Sequence, residues 1–425
     1  MLQGTHGLET VVVRGGRGLH GSITISGAKN AALPIIAASL LTSEEVILHN
    51  IPRTRDVETM AELVRSLDLD VQSRNDTLSI KPTCIDRRLA VDHILASEIR
   101  TSLHLVGGLL PRLKKVAVPL PGGCRIGPRP LDAYILGLRG LGAEIEIKDG
   151  HIIAASDELH GSHITLGFPS VSATENTMML ASLAKGTTII ENSAREPEIV
   201  DLAAFLNSMG AHVRGAGTNI LEIKGVKELA GTEYAIIPDR IETGTYMVAA
   251  AITRGDVLLK KTDLKLLENV VSKLRHAGVQ IEEVDEGVRI TSSGRFSPAE
   301  IVTEVYPGFP TDMQPIITPL LSIAPGRSII KEALFPSRFS HVSGLKKMGA
   351  EIQIKGDTLL ITGADRLKGA QVDALDIRSG CALVLAGLVA EGHTIVRGAH
   401  QFFRGYDRPL EKLKNLGAEA YLVSS

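Results

Sequence analysis

The chain has no tryptophan, only three cysteines in 425 residues, and an aromatic content of 3%. With 44% of residues apolar, its cores must be built from Ile, Leu, Val and Ala rather than from rings. Cys84, Cys124 and Cys381 lie far apart and form no C-x-x-C pair, which argues against a zinc site or a disulfide framework. So few cysteines fit a reducing, cytoplasmic compartment. Charge of one sign is lacking too: 46 Lys and Arg against 48 Asp and Glu give a net charge of −2, without the basic surplus that nucleic-acid binding calls for. No run approaches the roughly 20 apolar residues of a membrane span. The opening MLQGTHGLET has no charged stretch followed by an apolar one, so it reads as no secretory signal. The sequences G-x-x-x-x-G-K-[ST] and H-E-x-x-H are missing. A G-x-G-x-x-G does occur at Gly16, Gly18 and Gly21, but it runs into SITIS, an alternating strand pattern, whereas a dinucleotide fingerprint must open a helix. We read a glycine-rich hairpin there, from TVVVRGG to GSITISG.

What the chain does have is a repeat. SLDLDV, GLGAEI, SMGAHV, HAGVQI, KMGAEI and NLGAEA each end a helix and start a strand. Their third residues are Asp68, Gly142, Gly210, Gly278, Gly349 and Gly417, spaced by 74, 68, 68, 71 and 68 residues. Around each anchor the pattern is the same. A helix apolar almost all round (AALPIIAASLL, TSLHLVGGLL, TENTMMLASLA, TGTYMVAAAI, DMQPIITPLLSIA, SGCALVLAGLVA) is predicted to be buried. A short strand, an amphipathic helix with a terminal Gly stop, and two strands around turns such as KDG and KGD follow. The class is α/β, the unit is β-α-β-α-β-β, and six units suit two domains of three. Closing the opening strands onto units four to six divides the chain into residues 1–28 plus 238–425 and residues 29–237.

The units also differ. From the first apolar residue of the middle strand to the anchor, the distances are 22, 26, 21, 21, 20 and 22 residues, so unit two is the longest. The excess falls in VPLPGGCRIGPRPLD. Such an insertion is either a tolerated surface loop or a functional, lid-like segment. It sets Cys124 beside Arg125 and Arg129 near a helix start, where cations and the helix dipole favour thiolate. Cys381, in a buried-type helix, reads as a small core residue. An ionisable residue lies 14 to 17 positions before each middle strand: Lys29, Arg100, Glu175, Glu242, Asp312 and Arg378. Glu175 and Glu242 read as ordinary helix caps. Cations at helix starts oppose the dipole, so Lys29, Arg100 and Arg378 call for an anionic ligand. Further arginines (Arg53, Arg55, Arg195, Arg338, Arg404, Arg408) lie in strand-to-helix loops, some of them solvated surface. Together they point to a cleft for a multiply anionic small molecule.

SGAKNAALPI at Ser26–Ile35, LPGGCRIGPRPLD at Leu120–Asp132, AREPEIVD, PDRIETGT, FPTDMQP and RGYDR, spread over nearly the whole chain, resemble the UDP-N-acetylglucosamine 1-carboxyvinyltransferases. These are the enolpyruvyl transferases that begin peptidoglycan precursor synthesis. The resemblance implies two inside-out α/β domains, each of three β-α-β-α-β-β units around buried helices. It also implies transfer of the enolpyruvyl group of phosphoenolpyruvate to the 3-hydroxyl of UDP-N-acetylglucosamine by addition and elimination, in the cytoplasm, with no cofactor and no metal. By the same resemblance Cys124 is proton donor and the target of fosfomycin, on a loop that closes over the substrates, and Asp312 is the base. Lys29, Asn30, Arg129, Arg378 and Arg404 face phosphoenolpyruvate. Arg100, Arg129, Pro130, Leu131, Asp132, Ala133, Asp312 and Leu334 face the nucleotide sugar. The chain departs from the family at Pro336-Ser337, where an acidic-Asn pair is frequent, at Phe403, where Asp is frequent, and at Tyr134, where His is frequent. Three other readings compete with it: the sister enzyme acting on shikimate 3-phosphate, a silent paralogue that binds the nucleotide sugar, and a purely structural repeat protein. Retention of Lys29, Cys124, Arg129, Asp312 and Arg404 favours the transferase.

Overall fold

All six anchor residues adopt left-handed backbone, with φ of 57° at Asp68, 88° at Gly142, 99° at Gly210, 96° at Gly278, 93° at Gly349 and 91° at Gly417. Five of the six are glycine because an L side chain is strained there, and Asp is among the few residues that tolerate the conformation. The same logic places Asp149 (φ 49°) and Gly150 (φ 72°) in the turn joining Glu144–Lys148 to His151–Ala155. The computed structural model describes residues 9–82, 91–121 and 131–423.

The described residues fall into two units, 9–26 with 238–423, and 27–82 with 91–121 and 131–237. Each has its own apolar core. The six apolar helices are Lys29–Ala38, His104–Leu113, Val171–Ser182, Arg240–Ile252, Gln314–Leu321 and Ile377–Val389. They line the interiors, and every residue of Arg240–Ile252 is buried. The sheets cover them, with strands that alternate buried and solvent-facing residues, so the fold is inside-out α/β. No helix among the described residues is long and apolar enough to cross a membrane.

Four of the six sheets share one order: a leading strand, the strand after the buried helix, the second hairpin strand, the first hairpin strand; the sixth unit's sheet keeps it with Thr10–Arg14 in the place of the second hairpin strand. In the first sheet Thr232–Ala235 runs parallel to Val46–His49, which is antiparallel to Thr77–Lys81, which pairs in turn with Asp70–Arg74. The leading strand of unit one is thus supplied from the end of unit three. In unit two the described sheet has three strands, Lys115–Pro119, His151–Ala155 and Glu144–Lys148.

The opening hairpin does not form. Thr10–Arg14 inserts between His393–Arg397 and Glu419–Val423, while His20–Thr24 runs parallel to Asp256–Lys260 in a different sheet. The glycines between them serve close passage over backbone rather than a tight turn. A Cβ on Gly15 would lie 2.1 Å from the Ala390 carbonyl oxygen, and the Gly16 amide donates to Leu388 O at 3.0 Å. Each strand fills a vacancy that the repeat leaves in its own sheet. A ladder completing a four-stranded sheet buries more than an isolated hairpin can.

In the unit 27–237, His104–Leu113 packs against both Lys29–Ala38 and Val171–Ser182. The approach depends on Gly108, where a Cβ would lie 2.1 Å from the Ala37 carbonyl oxygen. Gly108→Ala would gain about 1 kcal/mol of helix propensity. Forcing two backbones apart costs about 3 kcal/mol or more. The variant is therefore expected to lose about 2 kcal/mol, read as a lowered urea midpoint. An unchanged or raised midpoint would contradict the close approach.

In the other unit His341 is fully buried, with Nε2 3.3 Å from Thr318 Oγ1. Thr318 already donates to Gln314 O, so the imidazole Nε2–H is the donor. Burial, aided by the Arg338 charge and opposed by Asp376, pushes its pKa down to about 3. The folded chain then binds fewer protons than the unfolded one below about pH 6.5, so this group costs stability as pH falls. Between pH 6.5 and 4.5 the loss approaches about 2.5 kcal/mol. His341→Gln is expected to flatten that acid slope in chemical denaturation; an unchanged slope would place the titration elsewhere.

Candidate active site

In the unit 27–237 the candidate residues sit at helix starts. Lys29 opens Lys29–Ala38, a helix with no acidic residue in its first turn and no side-chain cap. Its ammonium is buried, 3.3 Å from Asp56 Oδ2. Asp56 lies in the first turn of Arg55–Arg65, whose cap Thr54 accepts from Val57 N–H. This carboxylate offsets the unfavourable meeting of Lys29 with its own helix dipole. Asn30 is half-buried beside it.

Arg100 starts the short turn Arg100–Leu103, and Asp132 starts Asp132–Gly140, with Leu131 at its cap. Tyr134 joins the two: its buried hydroxyl donates to Leu103 O at 3.0 Å. The turn is further held by Ser102 Oγ, which donates to Ala96 O at 3.0 Å, and by His104 Nδ1, 2.9 Å from Thr101 O. The helix that Asp132 starts is thus tied to the turn that Arg100 starts. Tyr134 turns inward to the backbone.

In the other unit, Asp312 lies in the turn Thr311–Met313 that leads into Gln314–Leu321. Its Oδ1 is 2.7 Å from Arg338 Nη2 and its Oδ2 is 2.6 Å from Arg378 Nη2. Both guanidiniums are buried, with side chains 5% exposed, while the carboxylate is 25% exposed. Burial would raise the Asp312 pKa, but the Arg378 and Arg338 charges and their hydrogen bonds outweigh it and hold the carboxyl well below the usual range. Arg378 is fixed from behind: its amide and that of Ser379 donate to Asp376, which forms a capping box with Ser379. Its guanidinium also sits 5.3 Å from the centre of the Tyr406 ring.

Leu334 belongs to the same connected set. Buried Glu332 accepts from Thr303 Oγ1 (2.8 Å), Thr311 Oγ1 (2.9 Å), Leu334 N–H (3.1 Å) and Phe335 N–H (3.0 Å). Thr311 Oγ1 in turn accepts from Arg338 Nη1 at 3.1 Å. Arg404, half-buried on His400–Gly405, donates to Gln401 Oε1 at 3.3 Å, two residues before the tyrosine that underlies Arg378. Cys124, Arg129 and Pro130 lie outside the described residues.

Three sequence readings change. Glu175 and Glu242 cap nothing: Ser170 and Asp239 do that, accepting from Ala173 N–H and from Ile241 and Glu242 N–H. Both acids are buried, Glu175 2.6 Å from His104 Nε2 and Glu242 2.5 Å from Lys412 Nζ. Burial pushes the Glu175 carboxyl up and that of Glu242 up to about 7. Arg338, grouped with loop arginines, is a buried partner of Asp312. Its neighbours Phe335 and Phe339 are the available signal in the sequence, and the guanidinium lies over the Phe335 ring, 5.9 Å from its centre. Asp56 and Glu332, which carry no motif in the sequence, join the set only through their contacts with Lys29 and with Thr303 and Thr311. Cys381 is buried as expected, its thiol pushed up to about 12 by desolvation.

The chain matches the EPSP synthase (3-phosphoshikimate 1-carboxyvinyltransferase) family over residues 13–413. It is 48% identical to UDP-N-acetylglucosamine 1-carboxyvinyltransferase 1 of Caldanaerobacter subterraneus subsp. tengcongensis, over 95% of this chain and 97% of that one. It is likewise 48% identical to the protein of that name from Carboxydothermus hydrogenoformans, over 98% and 99%. Among solved structures, the enolpyruvyl transferase NikO from Streptomyces tendae shares the fold with a TM-score of 0.88 at 22% identity, covering 99% of this chain and 100% of that one. EPSP synthase from Acinetobacter baumannii does so with 0.74 at 18%, covering 97% and 100%. The repeat, the inside-out units and these matches together place the chain in the EPSP synthase family, among the UDP-N-acetylglucosamine 1-carboxyvinyltransferases.

Proposed function

We propose that this chain transfers the enolpyruvyl group of phosphoenolpyruvate to the 3-hydroxyl of UDP-N-acetylglucosamine, releasing phosphate, as the first committed step of peptidoglycan precursor synthesis in the cytoplasm. The observation that carries this is near-half identity over almost the full length to relatives of that name.

The chemistry has three proton transfers. Protonation of the terminal methylene carbon leaves positive charge on the neighbouring carbon, which the sugar hydroxyl attacks to give a tetrahedral ketal. Return of a proton from the new methyl group to the thiolate left by the first step, with departure of phosphate, restores the double bond and the thiol. Cys124 is assigned as donor to the methylene carbon. Asp312 is assigned as acceptor of the hydroxyl proton. A carboxylate held by two guanidiniums is a weak base. The hydroxyl becomes strongly acidic as its oxygen bonds to the cationic carbon, so a weak, correctly placed base suffices. Lys29, Arg129, Arg378 and Arg404 neutralise phosphate and carboxylate, and Asn30 hydrogen-bonds the reacting groups. Arg100, Arg129, Leu131, Asp132 and Ala133, with Pro130 and Leu334, hold the nucleotide sugar.

The test is phosphate release from phosphoenolpyruvate with either UDP-N-acetylglucosamine or shikimate 3-phosphate as acceptor. Release with the nucleotide sugar alone is expected. Release with the shikimate ester alone would overturn the acceptor. No release with either would leave a silent paralogue.

A further inference from the structure

Four side chains from distant parts of the chain close on one another in the unit 9–26 with 238–423, and the reaction above uses none of them. Lys412 Nζ donates to Glu242 Oε1 at 2.5 Å and to Ser26 Oγ at 2.7 Å. Ser26 Oγ donates to Asp407 Oδ2 at 2.5 Å, and the Ser26 amide donates to Glu242 Oε2 at 2.8 Å. Glu242, Asp407 and Lys412 are 3%, 5% and 7% exposed. Two buried carboxylates thus share one ammonium and one hydroxyl, with Arg408 Nε 3.2 Å from the free side of Asp407. Taking three ions out of water is costly, and apolar residues of similar volume commonly serve stability better. Such a cluster makes physical sense where geometry, not stability, is at stake.

The geometry it fixes is that of one turn. Asp407 belongs to Arg404–Arg408, which ends on left-handed backbone at Arg408 (φ 43°), and Lys412 is on the helix Pro409–Asn415 that leaves it. The other side of the turn is held by Tyr406, whose hydroxyl is 3.0 Å from Thr245 Oγ1 on the same helix that carries Glu242. We propose that Ser26, Glu242, Asp407 and Lys412 form a positioning device that clamps the Arg404–Arg408 turn to the start of helix Arg240–Ile252 and so sets where Arg404 meets its anion. This rests on the reading of Arg404 as a phosphoenolpyruvate ligand. The two arms of the clamp, Tyr406 to Thr245 and Asp407 through Ser26 and Lys412 to Glu242, are one helical turn apart on that helix. They hold two successive residues of the turn, Tyr406 and Asp407.

The experiment compares Arg404→Ala, Asp407→Asn and Ser26→Ala in the full chain. KM for phosphoenolpyruvate, KM for UDP-N-acetylglucosamine, kcat and thermal midpoint are read for each. Asp407→Asn keeps shape but loses the charge that draws Ser26 and Arg408. It is expected to raise KM for phosphoenolpyruvate at least 10-fold while moving KM for the nucleotide sugar less than 2-fold. Ser26→Ala, which severs the link without unpairing Lys412 from Glu242, is expected to shift the same constant in the same direction by a smaller factor. A lowered midpoint with both KM values unchanged would make the cluster merely structural and overturn the proposal. If Arg404→Ala raises KM for phosphoenolpyruvate but neither clamp variant does, the positioning role fails alone. If Arg404→Ala leaves that KM unchanged, the reading of Arg404 fails and the proposal with it.

Discussion

Asp312→Asn is expected to reduce turnover at least 100-fold, the usual contribution of a positioned proton acceptor. The substitution preserves shape and removes only basicity and charge. Two further consequences follow from the geometry. Arg338 and Arg378 lose the carboxylate that bridges them, leaving two buried cations facing each other. Breaking a fully buried pair costs about 3–5 kcal/mol; with Asp312 a quarter exposed, about 2 kcal/mol is the better expectation. The thermal midpoint should therefore fall, and kcat must be measured well below it. Because the two guanidiniums keep Asp312 ionised, the parent enzyme should show no acid limb from this group between about pH 5 and 8. A folded Asp312→Asn protein with kcat within 10-fold of the parent would remove Asp312 from proton transfer and leave it a structural bridge. Arg338→Ala offers a contrast, since it leaves Asp312 its second guanidinium.

The sequence told the repeats from one another because the fold punishes error at particular places. Left-handed helix stops admit little besides glycine, so Gly142, Gly210, Gly278, Gly349 and Gly417 mark the period without reference to any contact. Helices apolar all round announce burial for the same reason. Partner choice was another matter. TVVVR and GSITI alternate as a hairpin would, but alternation records only which face is buried, not which strand lies alongside. The decisive facts, a missing leading strand in the fourth sheet and a missing inner strand in the sixth, appear only when the ladder is complete. The charged residues were legible to a similar depth. Lys29, Arg100 and Arg378 stood out because cations at helix starts run against the dipole. Glu175 and Glu242 did not, since an acid near a helix start looks like a cap whether or not it faces water. Their actual partners, His104 and Lys412, lie 71 and 170 residues away along the chain.

Cys124→Ser is expected to reduce turnover by about 10²- to 10⁴-fold. Protonating a carbon demands a donor whose acidity is matched to the task, and a hydroxyl is a far weaker acid than a thiol with pKa near 8.5. The neighbouring Arg125 and Arg129 should lower that value further and make Cys124 nucleophilic at neutral pH. The chain carries its own control. Cys381, on the buried helix Ile377–Val389, has its thiol pushed up to about 12, so at pH 7 its thiolate fraction is on the order of 10⁻⁵. Fosfomycin, an electrophile resembling phosphoenolpyruvate, should add once, at Cys124, and leave Cys381 unmodified in peptide mass spectra. Turnover and labelling test different properties of one atom. A Ser variant that turns over within 10-fold of the parent would deny Cys124 the proton, and an unlabelled Cys124 would deny it the low pKa. Loss of turnover with single-site labelling at Cys124 requires both acidity and nucleophilicity of that one thiol.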